Sequence, residues 1–264
     1  MIKKVLTIAG SDCSGGAGIQ ADLKTIAAHK MYGMSVITAL TAQNTTGVYG
    51  VLEASPEFIA AELDCVFQDI IPDAVKIGMV SNREIIQTIV QKLRQYQVKN
   101  IVVDPVMIST SGSKLLSDQA VETLVEELLP LADILTPNLK EAEVLCGFAV
   151  ETEADMVRAA EAIGRTLRGA VLVKGGHLTE TADDLLAEAG CFTWIRGERV
   201  DNPNTHGTGC TLSSAIACQL AAGEDHLAAV RNAKAYLTGA LRAGLNLGKG
   251  SGPLDHTYGI EIKK

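Results

Sequence analysis

Residues 5–18 read Val5-Leu6-Thr7-Ile8-Ala9-Gly10-Ser11-Asp12-Cys13-Ser14-Gly15-Gly16-Ala17-Gly18. A short apolar run, Val5–Ala9, ends in a glycine-rich loop that leads into an amphipathic segment. Compact apolar runs of this kind are the pattern of parallel strands buried on both faces. The glycines let a ligand approach the backbone, and amides at a helix start bind polar oxygens. The loop is not the GxxxxGK[ST] phosphate loop, because no lysine follows its last glycine, and it does not match GxGxxG. It reads either as a ligand cradle or as a tight structural turn.

The same rhythm continues outward from that stretch. Further strand cores are expected at Ser35–Leu40, Val75–Ile77, Ile101–Val103, Ile134–Leu135 and Val171–Val173. Helical segments lie between them: Ser55-Pro56 opens one through Asp69, another runs from Asn82 to Tyr96, and a third from Ser117 to Leu129. Thr152 with Asp155 has capping-box spacing for a helix ending near Leu167, and alanine-rich helices are expected at Thr211–Ala222 and Leu227–Leu247. Thr45–Leu52 reads as an edge hairpin or flap. Cys191–Arg199 reads as a hairpin turning at Arg196-Gly197-Glu198. Strand–helix repetition predicts an α/β fold, a mostly parallel sheet covered by helices on both faces. No linker or internal repeat interrupts it, so one domain over residues 1–264 is expected.

Composition limits the function. The 264 residues are 47% hydrophobic and 20% charged, which excludes a disordered or fibrous chain. A formal net charge of −8 disfavours a nucleic-acid or anionic-membrane binder, while leaving room for a small phosphate pocket. The six cysteines form no CxxC pair, which argues against a disulfide scaffold or a structural zinc site. The five histidines suggest no metal cluster. No apolar segment is long enough to span a bilayer and the opening run is too short for a secretory leader, so a cytoplasmic protein is expected.

A second glycine turn, Asn204-Thr205-His206-Gly207-Thr208-Gly209-Cys210-Thr211, precedes an apolar helix. Its consecutive N–H groups and the helix dipole suit Gly207, Thr208 and Gly209 to negative oxygen, including a phosphoryl group in transfer. Cys210 falls in the first turn, a position that favours thiolate and a depressed pKa unless burial pushes it the other way; the segment alternatively reads as a glycine-rich turn with a buried cysteine. His206 titrates near neutrality and is a rival base. Asp104 follows a strand core and Glu141 follows Thr136-Pro137. Each suits water-mediated Mg2+ binding, a helix cap or a surface position. Lys174 ends another apolar run, facing either nucleotide phosphate or solvent, and His177 follows it closely.

Taken together, these segments resemble the ribokinase superfamily, and within it the bacterial hydroxymethylpyrimidine and hydroxymethylpyrimidine-phosphate kinases of thiamine biosynthesis. The resemblance runs through GSDxSGGAGIQADLKT from Gly10, ITALTAQNT from Ile37, KIGM from Lys76, VVDPVM from Val102, TPNxxEAE from Thr136, VLVKGGH from Val171 and HGTGCT from His206. It implies a ribokinase-like, Rossmann-like sheet and an ATP:alcohol phosphotransferase using ATP and Mg2+. The implied acceptor is 4-amino-5-hydroxymethyl-2-methylpyrimidine and then its monophosphate. The resemblance places Gly10, Asp22, Gln43 and Val106 on the acceptor side, although Asp22 alternatively supports its helix and Gln43 its loop. It makes Cys210 the base beside the acceptor hydroxyl, with Gly207, Thr208 and Gly209 as the anion hole. Lys174 points toward nucleotide phosphate, and Asp104 and Glu141 lie near magnesium. Many superfamily members carry aspartate where this chain has Cys210; cysteine agrees with the pyrimidine branch and with some vitamin-B6 kinases. It also implies a homodimer. Pyridoxine or pyridoxal kinase activity and a catalytically silent binding domain are the rival functions.

Overall fold

Along β1 (Lys4–Asp12) the side chains alternate, Leu6 and Ile8 entering one apolar core and Val5 entering another. That period of two runs through the sheet and explains its burial on both faces. The computed structural model describes residues 1–107, 116–176 and 182–260, so His177 lies outside the described residues. After β1 the chain forms α1 (Gly18–Ala28), β2 (Tyr32–Asn44), β3 (Gly47–Glu53), α2 (Pro56–Asp69), β4 (Ala74–Ile77), α3 (Arg83–Gln95) and β5 (Ile101–Val103). Then come α4 (Asp118–Thr123), β6 (Ile134–Leu135), α5 (Leu139–Cys146), α6 (Glu153–Gly164) and β7 (Ala170–Val173). The last elements are β8 (Asp184–Glu188), β9 (Cys191–Ile195), α7 (Thr208–Ala222) and α8 (His226–Ala243).

The strands lie in the order β3-β2-β1-β4-β5-β6-β7-β8-β9. Pairing is parallel from β2 to β7 and antiparallel at both edges. Helices α2 to α6 bury apolar residues in one core, and α1, α7 and α8 in the other. The mostly parallel sheet with helices on both faces is therefore as expected.

Local chemistry set many boundaries correctly. Ser55 caps α2 with Pro56 behind it, Asn82 caps α3, and Thr152 with Asp155 forms the expected box at α6. Other expectations need correction. The Ser117–Leu129 helix is α-helical only to Thr123 and then widens into a π turn and tightens into a 3-10 turn. Pro130 within the latter has no N–H to continue an α-helix. Helix α8 stops at Ala243, where Gly244 takes a positive φ of 55°, rather than at Leu247. The hairpin near Trp194 turns at Ala189-Gly190, both at positive φ, and not at Arg196-Gly197-Glu198. Its first strand, β8, and the eight-residue α5 were not anticipated; each is too short for a periodic signal.

One polar contact fastens the second layer to the sheet. Thr7 and Lys76 are register partners on β1 and β4, on the face toward α1 and α7. Asp22 of α1 reaches down to them: Lys76 Nζ lies 2.9 Å from both its carboxylate oxygens and Thr7 Oγ1 donates at 2.6 Å. Ser214 of α7 donates to the same carboxylate at 2.7 Å. Both charged side chains are 0% exposed. Burial works against the Lys76 ammonium, but Asp22 outweighs it and holds the group above its ordinary range.

Breaking such a pair leaves an uncompensated buried charge. Lys76→Met is therefore expected to lower unfolding stability by about 3–5 kcal/mol in urea denaturation, with the Lys76→Met/Asp22→Asn double variant recovering much of the loss. A single variant as stable as the parent would contradict this account.

Candidate active site

The chain reverses direction across the sheet between β1 and β4: α1 carries it to β2 on one side of β1, while β4 pairs on the other. Such a reversal opens a crevice at the carboxyl ends of the strands. Gly10 lies there near Met79 Sδ and the Ala39 carbonyl, and a Cβ on it would come to 3.0 Å from that sulfur. Asp104 follows β5, Lys174 follows β7, and the first turn of α7 completes the rim.

The acidic side of the crevice is tightly bonded. Asp104 Oδ1 receives Lys174 Nζ at 3.0 Å and Thr136 Oγ1 at 3.2 Å, and Ser213 Oγ lies 3.5 Å from Oδ2. Glu141 is also buried, with Oε2 accepting the Asn138 N–H at 2.8 Å in a capping box that starts α5. Burial pushes its carboxyl up to about 7, with Lys174 opposing and Asp104 adding to the shift. The cap expected as an alternative is thus present, while the same side chain shares the electrostatic environment of Asp104 and Lys174. Among the described residues no group of three or more His, Cys, Asp or Glu side chains could hold a metal ion. Two buried carboxylates nevertheless fit magnesium of the kind that keeps water and phosphate oxygens as its other ligands.

Gly207 caps α7 in the left-handed region at φ 85°. A Cβ there would lie 2.0 Å from the Gly16 carbonyl oxygen, so only glycine lets the two loops meet. The turn that follows places Thr208, Gly209 and Cys210 at the first three helical positions, whose N–H groups have no intrahelical acceptor. A Cβ on Gly209 would approach Asp104 Oδ2 at 3.1 Å and Lys174 Nζ at 3.4 Å. The glycine turn, the lysine and the carboxylate therefore border one space.

Cys210 is half-buried at this rim. Burial pushes its thiol up to about 11, and Asp22 and Asp104 add to that; Lys76 and a hydrogen bond from the Gly18 N–H work the other way. Of the two directions left open by its helical position, burial prevails: desolvation and two carboxylates outweigh the favourable helix start. The thiol is protonated at neutral pH here, and its conjugate base is correspondingly strong.

Of the residues expected on the acceptor side, Val106 is partly exposed just beyond Asp104, and Gln43 lies near the end of β2. Asp22, expected to touch the acceptor, is corrected to a supporting position: it has no exposed surface, and its carboxylate is occupied by Lys76, Thr7 and Ser214. The Nε2 of His206 is engaged by Asp12 Oδ2 at 2.8 Å rather than open to the Cys210 side of the crevice. Sequence reasoning missed Lys76 and Asp12. A lysine inside the otherwise apolar Ala74–Ile77 run was the available signal for the first. Asp12 lay hidden in the glycine loop, where it accepts the Ser14, Gly16 and Ala17 N–H groups.

The phosphomethylpyrimidine kinase family model matches residues 12–255. The chain belongs to that family. It is 54% identical over 257 residues to a hydroxymethylpyrimidine/phosphomethylpyrimidine kinase of Rhizobium meliloti, covering 96% of each chain. Among solved structures, a phosphomethylpyrimidine kinase from Clostridium difficile 630 superposes with a TM-score of 0.81 at 50% identity, over 89% of this chain and 98% of that one. A Staphylococcus aureus pyridoxal kinase in complex with ADP gives a TM-score of 0.92 at 34% identity, over 100% and 96% of the two chains. The ribokinase-like α/β fold and membership of this kinase family are thus as the sequence implied.

The thiol of this kinase gives a direct check on the site electrostatics. Iodoacetamide capture of Cys210, followed by peptide mass spectrometry, is expected to accelerate roughly tenfold per pH unit between about pH 7 and about pH 10. A plateau near neutral pH would mean that the helix start dominates after all.

Proposed function

We propose that this kinase transfers the γ-phosphoryl group of ATP to the hydroxymethyl oxygen of 4-amino-5-hydroxymethyl-2-methylpyrimidine. It then phosphorylates the monophosphate to the pyrophosphate used in thiamine assembly. The observation that carries this reading is the joint border of the Gly207–Gly209 turn, Lys174 and Asp104 on one space, in a chain of this family. Gly10, Gln43 and Val106 are assigned to the acceptor pocket, and Lys174 to the phosphates of ATP. The first-turn amides of α7 stabilise the oxygens of the phosphoryl group in transfer without side-chain rearrangement. Asp104 and Glu141 would hold Mg2+, which supplies charge neutralisation at the phosphates.

Cys210 takes the acceptor's proton in the first transfer. Its high pKa makes the thiolate scarce but strongly basic, so alcohol phosphorylation should gain from rising pH. The second acceptor is a phosphate monoester, largely ionised above its pKa of about 6, and needs little help from a base. Cys210→Ala is accordingly expected to lower kcat/KM for the alcohol by about 10²–10⁴-fold and for the monophosphate much less. Lys174→Met should weaken both. Product analysis with ATP and the two acceptors decides the matter: equal losses in Cys210→Ala would make the thiol a positioning group, and no phosphorylated pyrimidine would remove the assignment.

The overlap with pyridoxal kinases supports a second, weaker activity toward vitamin B6, measurable by competition between pyridoxal and the pyrimidine alcohol. The reading places one kinase domain over residues 1–264. A cytoplasmic location fits its six free cysteines and the lack, among the described residues, of a helix long and apolar enough to cross a membrane.

The homodimer reading rests on a surface. The edge strand β3 exposes Tyr49, Val51 and Leu52, beside Leu40 and Phe58; Leu52 and Phe58 are 68% and 61% exposed. An open apolar strand edge of this kind favours pairing with another chain. Light scattering should give twice the chain mass, falling to one chain in Leu52→Asp/Phe58→Glu. A monomeric parent would reject it.

A further inference from the structure

His206 lies in the turn that leads into α7, yet its ring faces the acceptor side. Its Nε2 is 2.8 Å from Asp12 Oδ2 and 3.2 Å from Gln43 Nε2. Asp12 is surrounded by donors. Oδ1 accepts the Ser14 N–H and Oγ at 2.8 and 2.7 Å, and Oδ2 accepts the Gly16 and Ala17 N–H groups at 3.1 and 2.9 Å. Burial opposes its charge, but the bonds from His206, Ser14 and Ala17 outweigh that and hold the carboxyl well below the usual range. An ionised carboxylate only accepts, so Nε2 of His206 carries the proton between them.

A ring nitrogen that keeps its proton and donates it to Asp12 has no lone pair for the Gln43 amide nitrogen. Two N–H donors then face each other at 3.2 Å. Turning the amide half a turn about its last torsion relieves the conflict, because its oxygen and nitrogen are nearly equal in size. Oε1 then shares the imidazole N–H through one lone pair. Its other lone pair and the amide N–H groups remain for the pocket, as an acceptor beside a donor. That edge complements a ring nitrogen adjacent to an exocyclic amino group.

The imidazole is held for this task. His206 is 8% exposed, and a Cβ on Gly16 would come within 2.4 Å of its Cδ2. Its backbone N–H donates to the Gly252 carbonyl at 3.2 Å. The ring is thus packed against the Gly16 backbone, and its main chain is tied to the segment around Gly252.

We infer that the Asp12–His206 pair is a positioning device that fixes the Gln43 amide to read an aminopyrimidine edge. This rests on the assignment of Gln43 to the acceptor pocket. His206 contributes selectivity for the exocyclic amino group and takes no proton from the acceptor.

Steady-state kinetics with the aminopyrimidine alcohol, and the inhibition constant of its analogue bearing hydrogen in place of the 4-amino group, test the inference. His206→Phe should raise KM for the alcohol about five- to tenfold, with kcat changed less than about twofold and the analogue's constant nearly unchanged. His206→Gln, which keeps an N–H at similar reach, should restore KM. Combined with Gln43→Ala, His206→Phe should add little further loss. Should the phenylalanine variant not fold, His206→Asn, which is too short to reach Gln43, serves in its place. Equal weakening of alcohol and analogue, or no rescue by glutamine, overturns the inference. If Gln43→Ala raises KM while the His206 variants do not, the inference fails and the pocket assignment stands. If Gln43→Ala leaves KM unchanged, both fall.

Discussion

The ion pair between Lys76 and Asp22 is the contact on which the rest of the crevice depends. It joins β1, α1, β4 and α7 through one carboxylate, with Thr7 and Ser214 filling its remaining acceptor positions. Buried charge is tolerated only where paired and hydrogen-bonded. The pair therefore constrains α1 and α7 to one placement over the sheet, and those are the two helices whose starts face each other at the rim. Cys210 lies one turn before Ser214 on α7, so the thiol inherits its position from the buried carboxylate below it.

On the proposed reading, the crevice is how a protein of net charge −8 provides for a polyanion. Its positive character comes from backbone amides at a helix start and from one lysine already paired with Asp104, rather than from a basic surface. Burial, with Asp104 adding to it, leaves Glu141 with a raised pKa, an arrangement that a divalent cation would relax. Burial, with Asp22 and Asp104 adding to it, likewise keeps the Cys210 proton in place.

Much of this was legible in the chain itself. Alternating apolar strands and capped helices gave the layered sheet, because burial on both faces leaves continuous hydrophobic runs and Ser55, Asn82 and Thr152 mark helix starts chemically. The two glycine loops and the Asp104, Lys174 and Glu141 positions were also readable, since each follows or borders a strand end. Partnerships across the fold were not. Nothing local in Asp22 indicates that Lys76 will occupy it, and the first turn of α7 does not by itself decide between the helix start and burial at Cys210. Short elements such as α5 and β8 escaped because they contain too few residues for a period to register.

The meeting of the Gly16 carbonyl with Gly207 bears on the order of folding. Its neighbouring bonds, Asp12 with His206 and Asp22 with Ser214, span 194 and 192 positions. Contacts this distant in the chain carry a large loop-closure cost and form after local ones. During synthesis the first glycine loop must wait until residue 207 of the 264 before its counterpart arrives. Closure of the crevice in this architecture is thus a late event of assembly, and a truncated nascent chain can possess all nine of the described strands before the two glycine loops meet.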